Sequence, residues 1–507
     1  MNDTLAHLPD DPTILKAYIA QLQGRLSTLE EHIRQLIRQR FGASSEKAPA
    51  NQFGLFNEAE QDQPDNPDAV AKAEAEITVP AHQRKKPGRK PLPEALPRVR
   101  REHDLPEQEK VCSCCGSHDL HRIGEEVSEQ LDIIPAKVQV IQNVRPKYAC
   151  RHCEGSIQTA PMPPQPIPGS IATPGLLAYI ATGKYVDGLP LYRQEQFVLN
   201  RLGVEVARAT TAQWMVRCGE LVQPLVNLMR DHLLESPLIH CDETHVKVLR
   251  ESGKKAQSLS YMWVQVAEPV PDHRVILFDY DPSRSGSVPV RLLEGFKGYL
   301  QTDGYEGYAA IGRQEGIISQ GCWAHARRKF NEAVKGLKKG VKTGKAYMGM
   351  AYIQKLYRIE REIKDCSCEE KKMIRQQKSR DILSQLRQWL DKSLPQTPPK
   401  TLLGKALNYL NNQWDKLIRY CDEGYLRMDN NLAENAIRPF VIGRKAWLFS
   451  TSQAGANASA NLYSLVETAK ACGLESYAYL KEVFTQLPAA KTLADIEQLL
   501  PWNQNSS

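Results

Sequence analysis

No stretch of this 507-residue chain stays apolar long enough to approach a membrane span, and its first residues lack the apolar segment of a secretion signal. The expected setting is therefore the cytoplasm, in association with the nucleoid if the chain handles DNA, and with no membrane partner. Disulfides are scarce in that reducing compartment, so the twelve cysteines read as metal ligands or small buried hydrophobes. Acidic charge is also short: 59 Asp and Glu face 66 Lys and Arg, for a net charge of +7. The imbalance is local. Residues 84–101 carry eight bases against one acid, and residues 327–345 again eight against one. Either cluster alone reads equally well as solvated surface. Large apolar side chains are few across residues 48–100, where Asn, Gln, Asp, Glu, Ala and Pro dominate. Such a segment cannot bury enough surface to offset its chain entropy, and it reads as a linker.

What is present falls into blocks. Leu15, Ile19, Leu22, Leu26, Leu29, Ile33 and Leu36 alternate spacings of four and three, a heptad seam that predicts a coiled coil and a homo-oligomer over residues 1–47. Gly24 weakens it modestly. The linker of 48–100 ends in Arg84, Lys85, Lys86, Pro87, Gly88, Arg89, Lys90 and Pro91, an AT-hook-like run suited to a narrow minor groove. Residues 101–165 hold two knuckles, Cys112-Ser113-Cys114-Cys115 and Cys150-Arg151-His152-Cys153. Paired Cys-x-x-Cys spacing suits tetrahedral zinc, with Cys112, Cys115, Cys150 and Cys153 as ligands and Cys114 and His152 in reserve. Between the knuckles, residues 138–141 read as a strand. Residues 166–235 are helical by periodicity, with a turn at Gly203 that fits either a DNA-reading helix-turn-helix or a helical brace.

From Leu238 the pattern predicts strands at 238–249, 260–267 and 273–280, a helix at 287–296, a strand at 298–303, a helix near 306–315 and a strand at 316–322. That order gives a mixed α/β sheet over residues 236–450, interrupted by a helical insertion at about 331–410. Two carboxylates fall in strand-like runs, where propensity disfavours them: Asp242 in the first and Asp303 at the end of the fourth. Glu434 lies on a later helical stretch, 131 residues beyond Asp303, with Asn430, Asn431 and Arg438 on its face and Pro439 expected to end the helix. Asp429, Asp422 and Glu423 compete with it as a third acid. Glu243 and His245 flank Asp242, and strand alternation turns them to the other face. Three such acids suit a metal-dependent nuclease of the ribonuclease-H-like type, in which two magnesium (or manganese) ions activate an attacking oxygen and stabilise the leaving one. Beside that core the basic clusters, including Arg327 and Arg328, read as phosphate contacts. Arg438 could grip a phosphate bidentately.

Cys322 and His325 have ligand-like spacing at the head of that basic helix. Without an assured second pair, they read as structural or as contacts to a substrate strand. Over residues 451–507, Leu462, Leu465, Val466 and Ala469 share one helical face, stopped by Gly473, and a second helix is expected at 476–486.

Taken in order, these segments resemble the insertion-sequence-66 family of bacterial DDE transposases over nearly the full length. The resemblance rests on Phe41-Gly42-Ala43-Ser44-Ser45-Glu46-Lys47 after the zipper, Gly88-Arg89-Lys90-Pro91, the knuckles, Asp242-Glu243-Thr244 and Thr302-Asp303-Gly304-Tyr305. It continues through Cys322-Trp323-Ala324-His325-Ala326-Arg327-Arg328, the run from Asp429 to Pro439, and Leu462-Tyr463-Ser464-Leu465. It implies a ribonuclease-H-like catalytic domain whose acids are Asp242, Asp303 and Glu434. It also implies magnesium-dependent cleavage at element ends, 3′-hydroxyl transfer into target DNA, and accessory proteins from the same element as partners. Ala43 and Asn435 stand where arginine is frequent in that family. Two other functions compete: a non-catalytic, zinc-dependent DNA-binding regulator derived from such an element, and a nuclease that hydrolyses without joining.

Overall fold

The computed structural model describes residues 137–149, 157–255, 258–270, 273–337 and 343–504, together with 11, 12, 16 and 18. The zipper seam, the basic run at 84–90 and the four knuckle cysteines lie outside the described residues. The chain divides into a unit of residues 1–56 and 142–507 and a second of residues 57–141. Of the second, residues 137–141 are described, and they are irregular where a strand was expected. Val140 is 88% exposed; strand-forming residue types alone make no strand without a buried face to pack.

In the larger unit, β1 (Lys147–Ala149) pairs antiparallel with β2 (Ile157–Thr159). In the sequence, Cys150 and Cys153 of the second knuckle lie between these two segments. Helices α1 (Pro174–Tyr185), α2 (Arg208–Leu221) and α3 (Gln223–Leu234) follow. Thr173 caps α1 by accepting from Leu176 N, with Pro174 opening the first turn. Gly203 takes the left-handed turn before α2 at φ +76°. Trp214, Met215 and Cys218 of α2 are buried in the main core. The helical segment is thus packed on the α/β unit, while Arg208, Gln213 and Arg217 stay exposed.

The sheet has the strand order β5 (His273–Asp281), β4 (Leu259–Val270), β3 (Leu238–Arg250), β6 (Gly298–Gln301), β7 (Ile317–Gln320), with β8 (Ser450–Ser452) also on β3. β3, β4 and β5 form an antiparallel meander. Helix α4 (Ser287–Leu292) then leads to β6 and, after two 3-10 turns, β7, both parallel. The turns Glu306–Tyr308 and Ile311–Arg313 replace the single helix expected near 306–315, and α4 stops four residues early. Gly307 and Gly312 in the one, and a Leu-Glu-Gly sequence after the other, favour short turns over a sustained helix.

α5 (Trp323–Lys335), α6 (Lys345–Glu362), α7 (Cys368–Ile374), α8 (Arg380–Ser393) and α9 (Leu402–Asn412) form the helical insertion. It has a core of its own, from Trp323 and Phe330 through Leu386 and Leu407 to Tyr420 and Met428. The chain returns through α10 (Asn431–Trp447), β8 (Ser450–Ser452), α11 (Gln453–Ala471) and α12 (Ser476–Gln486). Pro439 lies inside α10 and does not end it. An interior proline costs about 3 kcal/mol locally. Burial of Ala433, Ile437, Phe440 and Val441 offsets that loss.

Helix α11 covers the edge strand β5 in a specific way. Thr468 Oγ1 accepts from Ile276 N at 3.0 Å and donates to Ile276 O at 2.9 Å; Ser464 Oγ accepts from Phe278 N at 2.8 Å. Four residues of helix rise about 6 Å and two of strand about 6.6 Å. The two hydroxyls therefore match the free backbone groups of the edge and close it.

Candidate active site

The parallel pairing of β3 and β6 sets Leu238 against Tyr299, Ile239 against Leu300 and His240 against Gln301. Two residues beyond the last of these pairs come Asp242 on β3 and Asp303 in the chain leaving β6, and the charge of Asp303 acts on Asp242. Asp303 itself lies just past the end of β6, not within it. There its Oδ1 accepts from Tyr305 N at 2.8 Å, and Tyr409 of α9 donates to its carbonyl at 2.9 Å. Gly304 turns the chain away at φ +90°, where an added Cβ would meet the Gln413 amide and the Tyr409 hydroxyl.

Asp242 Oδ1 accepts from Glu243 N at 2.8 Å. Burial, followed by the charges of Glu243 and Asp303, pushes the Asp242 carboxyl well above the ordinary aspartate value. Glu243 is raised as well, by burial first and then by Asp303. Alternation does turn its side chain elsewhere: Arg284 Nε donates to Oε1 at 2.8 Å and Tyr308 Oη to Oε2 at 2.5 Å. Arg284 also stacks over Tyr305, 3.7 Å from the ring centroid. Glu243 is thus clamped, yet still adds charge to the Asp242–Asp303 pair. Buried carboxylates such as Asp242 and Glu243, whose charged forms burial disfavours, are what a hard divalent cation such as magnesium offsets, and the oxygen donors here fit one.

Glu434, in the first turn of α10, is 6% exposed. Its Oε1 lies 3.7 Å from His325 Nδ1 and its Oε2 3.7 Å from Arg328 Nη2. The ligand atoms of Cys322, His325 and Glu434 fall within 4.8 Å of one another, a closeness no other set of three His, Cys, Asp or Glu side chains reaches among the described residues. Asp242, Asp303 and Glu434 are therefore not gathered as tightly as that. Tyr409 joins the two sides: its hydroxyl is bonded at Asp303, and both Asp303 and Glu434 act on it by charge.

The position of Glu434 follows from two anchors of α10 on β3. Asn430, the N-cap residue, donates from Nδ2 to Cys241 O at 2.9 Å, and its Oδ1 lies 3.1 Å from His240 Nδ1. That network assigns the His240 proton to Nδ1. Burial lowers the His240 pKa to about 4. At the other end, Arg444 binds Thr244 Oγ1 at 2.9 Å and the His245 carbonyl, and its burial lowers its pKa to about 10. The expectation that Asn430 shares a helical face with Glu434 gives way here, since Asn430 precedes the helix and grips the strand.

Besides Arg284, basic residues near these acids come from α5 and α10. Arg327 stacks over Tyr357 at 5.5 Å, Arg328 faces Glu434, and Lys329 lies over Tyr409 at 5.1 Å. Arg438, one turn beyond Glu434, has its buried Nε without a hydrogen-bond partner among the described residues. Cys322 is fully buried. Burial, then the charges of Glu434 and Asp429, push its thiol well up. Sequence reasoning missed Arg284, Tyr308, Tyr409 and His240. Each is an unremarkable residue in its own segment and gains meaning only by contact.

Family models account for most of the chain. Residues 169–458 match "Transposase IS66 family", 109–154 the zinc-finger binding domain of that transposase, and 464–502 the IS66 C-terminal element. Residues 28–101 match a model described as "Transposase C of IS166 homeodomain". The zinc-finger match spans Cys112, Cys115, Cys150 and Cys153, which supports a structural zinc. Relatives in Sinorhizobium fredii include uncharacterized protein y4jD, 33% identical over 427 residues (81% of each chain). Another is uncharacterized protein y4qI, 34% identical over 433 residues (82% of this chain, 78% of the relative). No helix among the described residues is long and apolar enough to cross a membrane. With a single family model covering more than half of its length, the chain belongs to the IS66 family of transposases.

Proposed function

We propose that the chain cuts DNA at the ends of an insertion element and joins the freed 3′-hydroxyl to target DNA, in a ribonuclease-H-like domain whose acids are Asp242, Asp303 and Glu434. The observation that carries this reading is the parallel pairing of β3 with β6, from which Asp242 on β3 and Asp303 just past the end of β6 come close enough for the charge of Asp303 to act on the Asp242 carboxyl. A binding module has no need of two carboxylates held at the cost of mutual repulsion.

Asp242 and Asp303 would hold divalent magnesium or manganese, with Glu434 closing the set from α10. Once bound, such ions supply activation of the attacking oxygen and stabilisation of the leaving one. The protein's own groups do the positioning. Arg284 and Tyr308 keep Glu243 off the substrate path while its charge adds to the site. Asn430 and Arg444 hold α10 against β3. Arg328, 3.7 Å from Glu434, and Arg438, one turn further along α10, would take the phosphates flanking the scissile bond. Arg84, Lys85, Lys86, Arg89, Lys90 and Arg327 would add non-specific phosphate contacts. Cys112, Cys115, Cys150 and Cys153 would carry the structural zinc. The zipper would pair copies of the chain, and accessory proteins of the same element would join the assembly in the cytoplasm, at the nucleoid.

The test is cleavage and strand transfer on DNA carrying the element ends, with magnesium and any accessory proteins, comparing wild type with Asp242→Asn, Asp303→Asn and Glu434→Gln. Each variant should bind DNA and fail to cut. Binding without cutting by the wild type would mark a regulator; cutting without joining would mark a hydrolytic nuclease.

A further inference from the structure

Cys322 ends the loop after β7 and caps α5, His325 lies in the first turn of α5, and Glu434 lies in the first turn of α10. Cys322 and His325 are three residues apart and Glu434 lies more than a hundred residues further on, yet the three ligand atoms lie within 4.8 Å of one another. Thiolate, imidazole and carboxylate are together the donor set of a thiophilic transition metal, whereas magnesium takes oxygens. Donors around one tetrahedral zinc are roughly 3–4 Å apart, so rotamer adjustments alone would bring this group into coordination.

The surroundings of the sulfur are a second, independent observation. Asn430 N donates to Cys322 Sγ at 3.2 Å, and the His325 backbone N–H acts on the same sulfur. Backbone N–H groups aimed at a buried cysteine sulfur are the outer-shell pattern that supports a metal-bound thiolate. Glu434 is divided in a matching way, with Oε1 3.7 Å from His325 Nδ1, on the side of the other two donors, and Oε2 3.7 Å from Arg328, whose cation balances it. Access comes from the His325 side, whose side chain is 18% exposed while the cysteine is buried.

From this geometry we infer that Cys322, His325 and Glu434 bind one zinc-class divalent cation, separate from the knuckle zinc. The ion would tie the head of the helical insertion to the helix that carries the third acid, leaving a fourth position open to water or a phosphate oxygen. The inference meets the proposed catalysis at one residue, since Glu434 would serve both the soft ion and the hard ones. Zinc at this position would therefore compete with magnesium-dependent cutting.

The test is zinc content of the full chain after equilibration with zinc and gel filtration, for wild type, Cys322→Ser, His325→Gln and Cys112→Ser/Cys150→Ser. Wild type should retain about one equivalent more than each variant. His325→Gln is the safer variant for folding, since its side chain reaches the surface, and circular dichroism checks that it is folded. Cobalt added to Cys112→Ser/Cys150→Ser should still give a sulfur-to-metal charge-transfer band, lost on adding Cys322→Ser. Folded Cys322→Ser and His325→Gln proteins that both keep the wild-type zinc content would overturn the site. The two readings fail separately. Zinc lost with His325→Gln while Glu434→Gln still cuts DNA would sustain the metal site and remove the catalytic role. Unchanged zinc in both variants, with cutting abolished by Glu434→Gln, would do the reverse.

Discussion

Asn430 donates to the carbonyl of Cys241, the residue before Asp242, and so fixes the helix of Glu434 against the strand of the first acid. The same side chain meets His240 Nδ1, and its backbone N–H meets Cys322 Sγ. One buried residue, through its side chain and its backbone N–H, thereby joins β3, the head of α5 and the start of α10.

Asn430→Ala should destabilise the protein by about 2–4 kcal/mol, because it leaves the Cys241 carbonyl and the His240 N–H buried without partners. Cleavage should fall further than the stability loss explains, since Glu434 loses its reference to Asp242. Denaturant melts and single-turnover cleavage at a temperature where the variant is folded would check both; unchanged stability would mean that Asn430 anchors nothing.

Asp242→Asn should raise the melting temperature of the metal-free protein by a few degrees while abolishing cleavage. Asp242 and Glu243 have folded pKa values above their unfolded ones. Their contribution to stability is thus full below the ordinary carboxylate range and is lost as pH rises through the raised values. Melts across that pH range should show the wild type declining more steeply than Asp242→Asn, with added magnesium closing part of the gap. A variant less stable than wild type at neutral pH would contradict the charge argument.

Acid should unfold the protein through its histidines before its carboxylates. His240 is held at about 4 by burial, against an ordinary 6.5. A depressed histidine favours the fold above the unfolded pKa, and that favour is lost as pH falls from about 6.5 toward 4. His245, also lowered to about 4 by burial and then Arg444, acts in the same direction. His240→Gln should flatten the fall in stability over that window, whatever its effect at pH 7. An unchanged slope would place the acid sensitivity elsewhere.

Ser464→Ala with Thr468→Val should cost about 2–4 kcal/mol, because the Ile276 and Phe278 backbone groups of edge strand β5 lose their partners in a buried place. Faster amide exchange at Ile276 and Phe278 is the specific sign. A general loss of stability without it would point to packing and not to closure of the edge.

Arg328→Ala and Arg438→Ala should each weaken binding to element-end DNA and reduce its salt slope by about one unit, if each neutralises one phosphate. Binding measured from low to moderate salt would show it. An unchanged slope would leave these arginines to the shaping of Glu434 alone.

The chain's own pattern determined the meander at 238–281, the strands at 298 and 317, the insertion and the paired helices of the C-terminal segment, because hydrophobic period is a local property. It likewise marked Asp242 and Asp303, since carboxylates in strand-like runs contradict local propensity. Tertiary structure decided the rest. Residues 138–141 read like a strand and are irregular in the structure, with Val140 88% exposed. Pro439 should stop α10, yet the burial of Ile437 and Phe440 carries the helix through it. Glu434 is one more acid on a helix until Asn430 and Arg444 set that helix on β3, and Cys322 and His325 lack a third ligand until it arrives. Contacts across a hundred residues leave no period in a sequence, and it is packing, with the burial that comes with it, that gives those side chains their chemistry.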